Sequence, residues 1–212
     1  MTNAVRTGTA FQAGFGTVDI GHLPKLRFAR AAEAVAGLDL SQEAKALFAP
    51  NAPTAVFLKA LIDAELYADA IRLLAIALPR REAVWWGCLS ARGALPAEPA
   101  PADVAALEAA EAWVYRPTEE NRRTCFAPAE AMNFETACAY AAMAAFWSGG
   151  SLAPPDAAVV VPPGDGLTGT AAAAAVLLAT AAVPKEIKAR HRAALAQALD
   201  IANGGSGKVG AA

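Results

Sequence analysis

Apolar positions along this chain recur at helical rather than strand spacing. The clearest stretch lies between residues 53 and 92. Ile71, Leu74 and Leu78 form one stripe there, while Glu65, Asp69 and Arg72 fall on a narrow polar one. That is the 3.6-residue period of an amphipathic helix with a broad buried face. The spacing predicts three helices, near 53–64, 67–78 and 80–91. Pro79 separates the last two, because proline favours a break after Leu78 and its missing N–H costs nothing at the start of the following helix.

The rest of the chain carries the same kind of punctuation. Residues 27–36 read as a short helix ended by Gly37, and Ser41 can cap a second running to about Phe48. A connector rich in Pro and Ala over 94–101 leads into a helix over 103–114 that exposes Glu108 and Glu111. Thr118 can cap the next helix, which Pro128 must kink or end. Asn133 is expected to cap a helix over 134–147, terminated by Gly149 and Gly150. Residues 151–166 hold Pro154, Pro155, Pro162, Pro163 and three consecutive valines, and are expected to form an extended crossing loop. An Ala-rich helix over 167–183 follows. Pro184 then opens a last helix with Ile187, Ala194, Leu195, Ala198 and Leu199 on its apolar face, closed by Gly204.

The fold class this implies is all-α, a compact array of about eight to ten short helices. Helices of about a dozen residues on very short joints resemble the packing of α-hairpin or HEAT-like arrays, although no internal repeat is visible. The organisation expected is an irregular amino-terminal arm over 1–24, a single helical domain over 25–203, and a flexible tail over 204–212. Phe11, Phe15 and Ile20 of the arm are placed to dock onto the body. Hydrophobic residues make up 56% of the chain, but alanine supplies much of the excess, and alanine favours helix while burying little area. Thin, closely packed helices are the consequence.

Charge and cysteine content narrow the function classes. A net charge of −2 and a pI near 5.7 provide no general attraction for phosphate backbones. The one basic cluster is Lys185, Lys188, Arg190, His191 and Arg192, at a helix start where cations oppose the macrodipole. No aromatic residue interleaves it for base stacking, so it reads as a solvated face, His191 included, and no nucleic-acid partner is expected. Cys88, Cys125 and Cys138 cannot all pair and none lies in a CxxC, which suits a reducing compartment and small core thiols. Residues 1–15 lack the apolar stretch of a secretory signal. The uncharged 167–183 run is too rich in Ala, Thr and Gly for a span and reads as a core helix. A cytoplasmic protein without membrane contact is expected.

Motifs for chemistry fail on inspection. Gly204, Gly205, Ser206, Gly207 and Lys208 resemble a phosphate-binding loop superficially, but Ala202 and Val209 stand where Gly and Ser or Thr are required. Gly14-Phe15-Gly16 lacks a third Gly and a preceding strand. His22 and His191 have no ligand partners at a familiar spacing, and no Ser stands in a Gly-x-Ser-x-Gly elbow. Asp63 and Glu65, two apart, diverge on a helix and read as solvated helix-end charges. No catalytic residue, metal site or cofactor is expected.

The densest feature is Leu78-Pro79-Arg80-Arg81-Glu82-Ala83-Val84-Trp85-Trp86. On a helix Trp85 lies one turn beyond Arg81, within reach of a cation–π contact, and Trp86 one turn beyond Glu82. The two indoles point about 100° apart, so one can anchor the core while the other reaches a groove. Two readings follow. Both indoles can simply pack helices together, or Arg80, Arg81, Glu82, Trp85 and Trp86 can form a protein-contact hot spot, for which Trp and Arg are enriched.

The run from Asp69 through Trp86 resembles the central motif of an uncharacterised helical family of bacterial proteins. The similarity extends from about Leu40 to Val183 and includes Phe146-Trp147-Ser148-Gly149-Gly150-Ser151. Some members of that family are encoded beside type VI secretion components, so the resemblance implies an accessory or adaptor role and transfers no functional residues. Where the family commonly has Ala after the Trp pair this chain has Gly87, which should loosen or narrow the helix contact there. The function expected is a non-catalytic helical adaptor for another protein, with an enzyme of unrecognised class using a cleft near Arg80 to Glu82 as the alternative.

Overall fold

The computed structural model describes Ile20 and residues 23–209. The amino-terminal arm before Ile20, Gly14-Phe15-Gly16, His22 and residues 210–212 lie outside the described residues. Among those described, the chain forms eleven α-helical segments and a 3-10 turn. They are α1 (Ala31–Ala34), α2 (Gln42–Leu47), α3 (Thr54–Asp63), α4 (Tyr67–Ala77), α5 (Arg80–Ala94), α6 (Pro101–Tyr115), α7 (Glu119–Thr124), α8 (Phe126–Ala131), α9 (Ala137–Phe146), α10 (Leu167–Ala181) and α11 (Ile187–Ala202), with the 3-10 turn over Pro184–Glu186.

The three helices predicted between 53 and 92 stand within a residue or so at each start. Leu78 is extended ahead of Pro79, and Pro79 is itself extended, so α5 begins at Arg80. Ser41 and Thr118 cap as expected, accepting the amides of Ala44 and Asn121. The helix expected over 27–36 shrinks to α1, because the backbone before it is spent on tertiary bonds. Lys25 N donates to the Ala202 carbonyl, Arg27 N to that of Ala77, and the Ala29 carbonyl accepts from Thr54 N. Residues 23–30 are thereby tied to the ends of α4 and α11 and to the start of α3.

Two other expectations are corrected. Asn133 does not cap α9. Asn133 and Phe134 both adopt left-handed backbone, and their amides close the end of α8 on the Glu130 and Ala129 carbonyls. Thr136 caps α9 instead, its hydroxyl accepting from Ala139 N and donating to Asp103. Pro128 lies inside the first turn of α8, where no intrahelical N–H is required, so the chain breaks at Cys125. Asp69, placed on the polar stripe by periodicity, is buried and accepts from the amide and hydroxyl of Ser41. It joins α4 to the cap of α2.

Consecutive helices pack on one another at α3 with α4 and α5 with α6, while α10 departs from a simple stack. It runs through the centre, against α4, α5, α9 and α11. Small residues make that possible. Gly87 of α5 faces Ala141 and Ala175 on α9 and α10, and Gly169 lies against the α4 backbone at Ala75 and Ile76. A Cβ at 169 would come within 2.7 Å of the Ala75 carbonyl oxygen. No single described helix is long and apolar enough to cross a membrane.

The crossing loop between α9 and α10 is held by a buried arginine that no motif or periodicity marks. Arg122 is 3% exposed. Its guanidinium donates to the carbonyls of Phe146 and Ser151 and to both carboxylate oxygens of Glu119, and lies 4.8 Å from the Phe146 ring centroid. Arg123 adds bonds to Glu119 and to the Ser151 and Ala153 carbonyls. These cations hold the Glu119 carboxyl down at about 2, the Arg122 hydrogen bond being the main cause. Gly150 passes so close that a Cβ there would meet Glu119 Oε2 at 2.7 Å.

Candidate functional site

The five residues singled out in the 78–86 run separate into three environments. Trp86 is 0% exposed and its Nε1 donates to the Ala194 carbonyl of α11 at 2.9 Å. It is a core residue whose one polar atom is satisfied. Arg80, at the first position of α5, turns toward the crossing loop. It donates to the Ser148 carbonyl at 2.9 Å and approaches Asp165 at 3.9 Å. Arg81, Glu82 and Trp85 share the third environment.

That third environment is a cleft of about 240 Å³ between the first turns of α5, the end of α6 and the end of α11. Arg81 Nε donates to the Val114 carbonyl at 2.6 Å, which puts a cation at the negative end of α6. Glu82 accepts from Lys25 at 3.2 Å. Lys25 is there because its own amide is fixed to the last turn of α11. Trp85 is half-buried. Its ring lies 6.1 Å from that of Tyr115 at an interplanar angle of 60°, and its Nε1 donates to the Ser206 carbonyl at 2.7 Å. Tyr115, the last residue of α6, is 71% exposed. Ile201 and Gly205 complete the lining.

The predicted cation–π pairing of Arg81 with Trp85 is replaced by the Arg81 bond to Val114 and the Trp85 ring pair with Tyr115. Lys25 and Tyr115 were not identified from sequence. Nothing local marks Lys25, and Tyr115 is marked only by standing at a helix end. Their juxtaposition with α5 is set by segments 33 or more residues away.

The residues after α11 are not a loose tail up to Lys208. Asp200 accepts the amide of Gly207 on its carboxylate at 2.8 Å and that of Gly205 on its carbonyl. Gly204 and Gly207 take positive φ, and a Cβ on Gly205 would collide with the Asp200 carboxylate. The glycines that resemble a phosphate loop in sequence thus wrap the chain's own carboxylate and carry Ser206 to Trp85.

The other candidate groups are dispersed. Lys188 pairs with Glu65 and Arg190 with Glu186, and Asp63 pairs with Lys59. His191 is not on an exposed face. It is half-buried with its ring 6.5 Å from that of Tyr67, and burial lowers its pKa. Cys88, Cys125 and Cys138 are buried free thiols. Burial pushes Cys88 well up, and Cys125 and Cys138 up to about 12. Among the described residues no group of three or more His, Cys, Asp or Glu is arranged to hold a metal ion.

A family model described as a family of unknown function (DUF6931) matches residues 57–202. The chain belongs to this family. The DUF6931 match begins within α3 and ends with α11, so it takes in Arg81, Glu82, Trp85, Tyr115 and Ile201. Lys25, and the Gly205 and Ser206 that close over Trp85, lie outside the DUF6931 segment. No curated protein and no solved structure matches the chain.

Proposed function

We propose that this protein is a non-catalytic, cytoplasmic binding module that receives a segment of another protein in the cleft formed by α5, α6 and the end of α11. The observation that carries the reading is the exposed Tyr115 ring beside the half-buried Trp85, with Arg81, Lys25 and Glu82 around them. Tyr, Trp and Arg are the residue types that dominate contact energies, and a half-covered aromatic pair still has area to remove from water. Among the residues lining the cleft the single carboxylate is Glu82, and it is engaged by Lys25. That supports binding over proton-transfer chemistry.

The motif resemblance supports a type VI secretion component as the partner. Affinity purification from a native host carrying such a system should recover a stoichiometric partner. Tyr115→Ala should lower that recovery by about tenfold or more, the effect of a loss above about 1.4 kcal/mol, without changing the melting temperature. Equal recovery with Tyr115→Ala and Arg81→Ala would remove the cleft from the account. Mass spectrometric identification of a partner outside a secretion system would remove only the type VI assignment.

A further inference from the structure

A cavity of about 420 Å³ lies between α8, the turn after it, α9 and the start of the crossing loop. It shares no lining residue with the cleft of α5, α6 and α11. Five of the seven described residues lining it are aromatic, the others being Met143 and Leu152. Three of the rings form one group, in which Phe126 lies 5.0 Å from Phe146 and 6.2 Å from Phe134, at tilts of 47° and 52°. The other two, Tyr140 and Trp147, are half-buried and have no ring neighbour among the described residues. Rings packed at a tilt or an offset gain more than their buried area alone supplies. Tyr140 and Trp147 make no such contact within the fold.

The walls are set in advance. Leu152 stands between Ser151 and Ala153, whose carbonyls accept from Arg122 and Arg123, so the loop side is fixed by the buried arginine. Phe134 is placed at a cost, since its φ of 57° is left-handed backbone that a bulky residue rarely adopts. One left-handed residue suffices to end a helix, and Asn133 supplies it for α8. The second, at Phe134, belongs to the turn that brings its ring beside Phe126. Strain of this kind gathers where a ligand is held. Size and charge then narrow the ligand. The volume is in the range of small-molecule pockets, and at about 30 Å³ per water-sized group it takes at most about fourteen non-hydrogen atoms. No described lining residue is charged, so an ion would be desolvated there without a partner. A cation is disfavoured further because the Arg122 guanidinium already lies 4.8 Å from the Phe146 ring centroid.

We propose that this cavity binds an uncharged, flat aromatic molecule of about two fused rings, packed between the three phenylalanines and the unpaired rings of Tyr140 and Trp147. The test is an amide-resolved NMR titration of the full chain with 2-naphthol at neutral pH. Its saturated analogue 2-decalol and the charged 2-naphthoate and 2-naphthylmethylammonium serve as controls. Saturable shifts are expected at Phe134, Tyr140, Trp147 and Leu152. The saturated analogue should bind about two- to tenfold more weakly, the worth of an aromatic pair, and each charged analogue about tenfold or more weakly. Phe134→Gly, which removes one wall and relieves the backbone, should keep a cooperative thermal melt and bind at least about tenfold more weakly. Leu152→Trp, which fills the cavity from the loop side, should abolish binding and serves if the Phe134 variant does not fold. The proposal is overturned by an absence of saturable shifts, the result expected if a second copy of the chain closes the cavity. Binding of 2-decalol or of either ion as tight as that of 2-naphthol, or wild-type affinity in a folded Phe134→Gly or Leu152→Trp variant, would overturn it equally.

Discussion

Trp85 and Trp86 are adjacent in sequence, yet their indole nitrogens donate to carbonyls of different segments. Trp86 reaches Ala194 within α11 and Trp85 reaches Ser206 beyond its end. The helix turn of about 100° between them divides one motif into a core anchor and a cleft wall. Trp86→Ala should therefore cost about 3–5 kcal/mol, as for large aromatic deletions in cores. Trp85→Ala should cost only about 1 kcal/mol, the order of one net hydrogen bond. Denaturant midpoints at constant m-value check the pair, and equal losses would show that both indoles serve the core.

The two glycines at the centre of the helix packing should respond oppositely to the same substitution. A Cβ at Gly87 would meet Ala175 Cβ at 3.5 Å, an ordinary contact. Gly87→Ala should therefore stabilise by about 0.5–1 kcal/mol through helix propensity. A Cβ at Gly169 would press on the α4 backbone, and Gly169→Ala should destabilise by about 1–3 kcal/mol. Thermal melts of the two variants decide this, a stabilised Gly169→Ala being the contrary result.

Arg122 should be the most consequential charged residue in the fold. Its removal takes the side-chain donor from the Phe146 carbonyl and leaves the Ser151 carbonyl and the Glu119 carboxylate with Arg123 alone. Breaking a buried charged network of this kind costs about 3–5 kcal/mol. Limited proteolysis of Arg122→Ala should cut within 151–166 at protease levels that leave the wild type intact. Unchanged protection would mean that the loop is held by other contacts.

Acid should weaken the fold in two separable steps. His191 has its folded pKa lowered by burial, so its contribution is complete above its ordinary 6.5 and is lost as pH falls below that value. Glu119 has its folded pKa near 2, so its contribution is complete above its ordinary 4.5 and is lost as pH falls from there toward 2. Melting temperatures at pH 7.5, 5.5 and 3 should fall at each step. His191→Gln should flatten the first and leave the second. Equal slopes in the variant and the wild type between pH 7.5 and 5.5 would contradict the His191 assignment.

Local chemistry made much of the fold legible. Pro79 set the α4 to α5 break, and Ser41 and Thr118 set caps, because each acts through backbone groups within a few residues. Failures came where a distant partner decided. Asp69 looked solvated until Ser41 supplied its donors, and the glycines after α11 looked loose until Asp200 and Trp85 claimed their backbone. The angle between the two indoles was readable, but not which faced the core. That depended on α11, more than one hundred residues away. For the same reason Arg81, Glu82 and Trp85 stand out together in the sequence, as neighbours on one helix, while Lys25 and Tyr115, which share their cleft, do not.

The most direct test of the binding account is site-specific photocrosslinking in a native host, with a photoreactive phenylalanine analogue replacing Tyr115 in one strain and Val56 in another. Both positions are exposed, Tyr115 on the cleft and Val56 on α3 outside its lining. The account predicts a discrete crosslinked protein partner from position 115 that is absent from position 56 and lost when Arg81→Ala is added. Identical products from the two positions, or none from position 115 in cells that contain the folded protein, would contradict it.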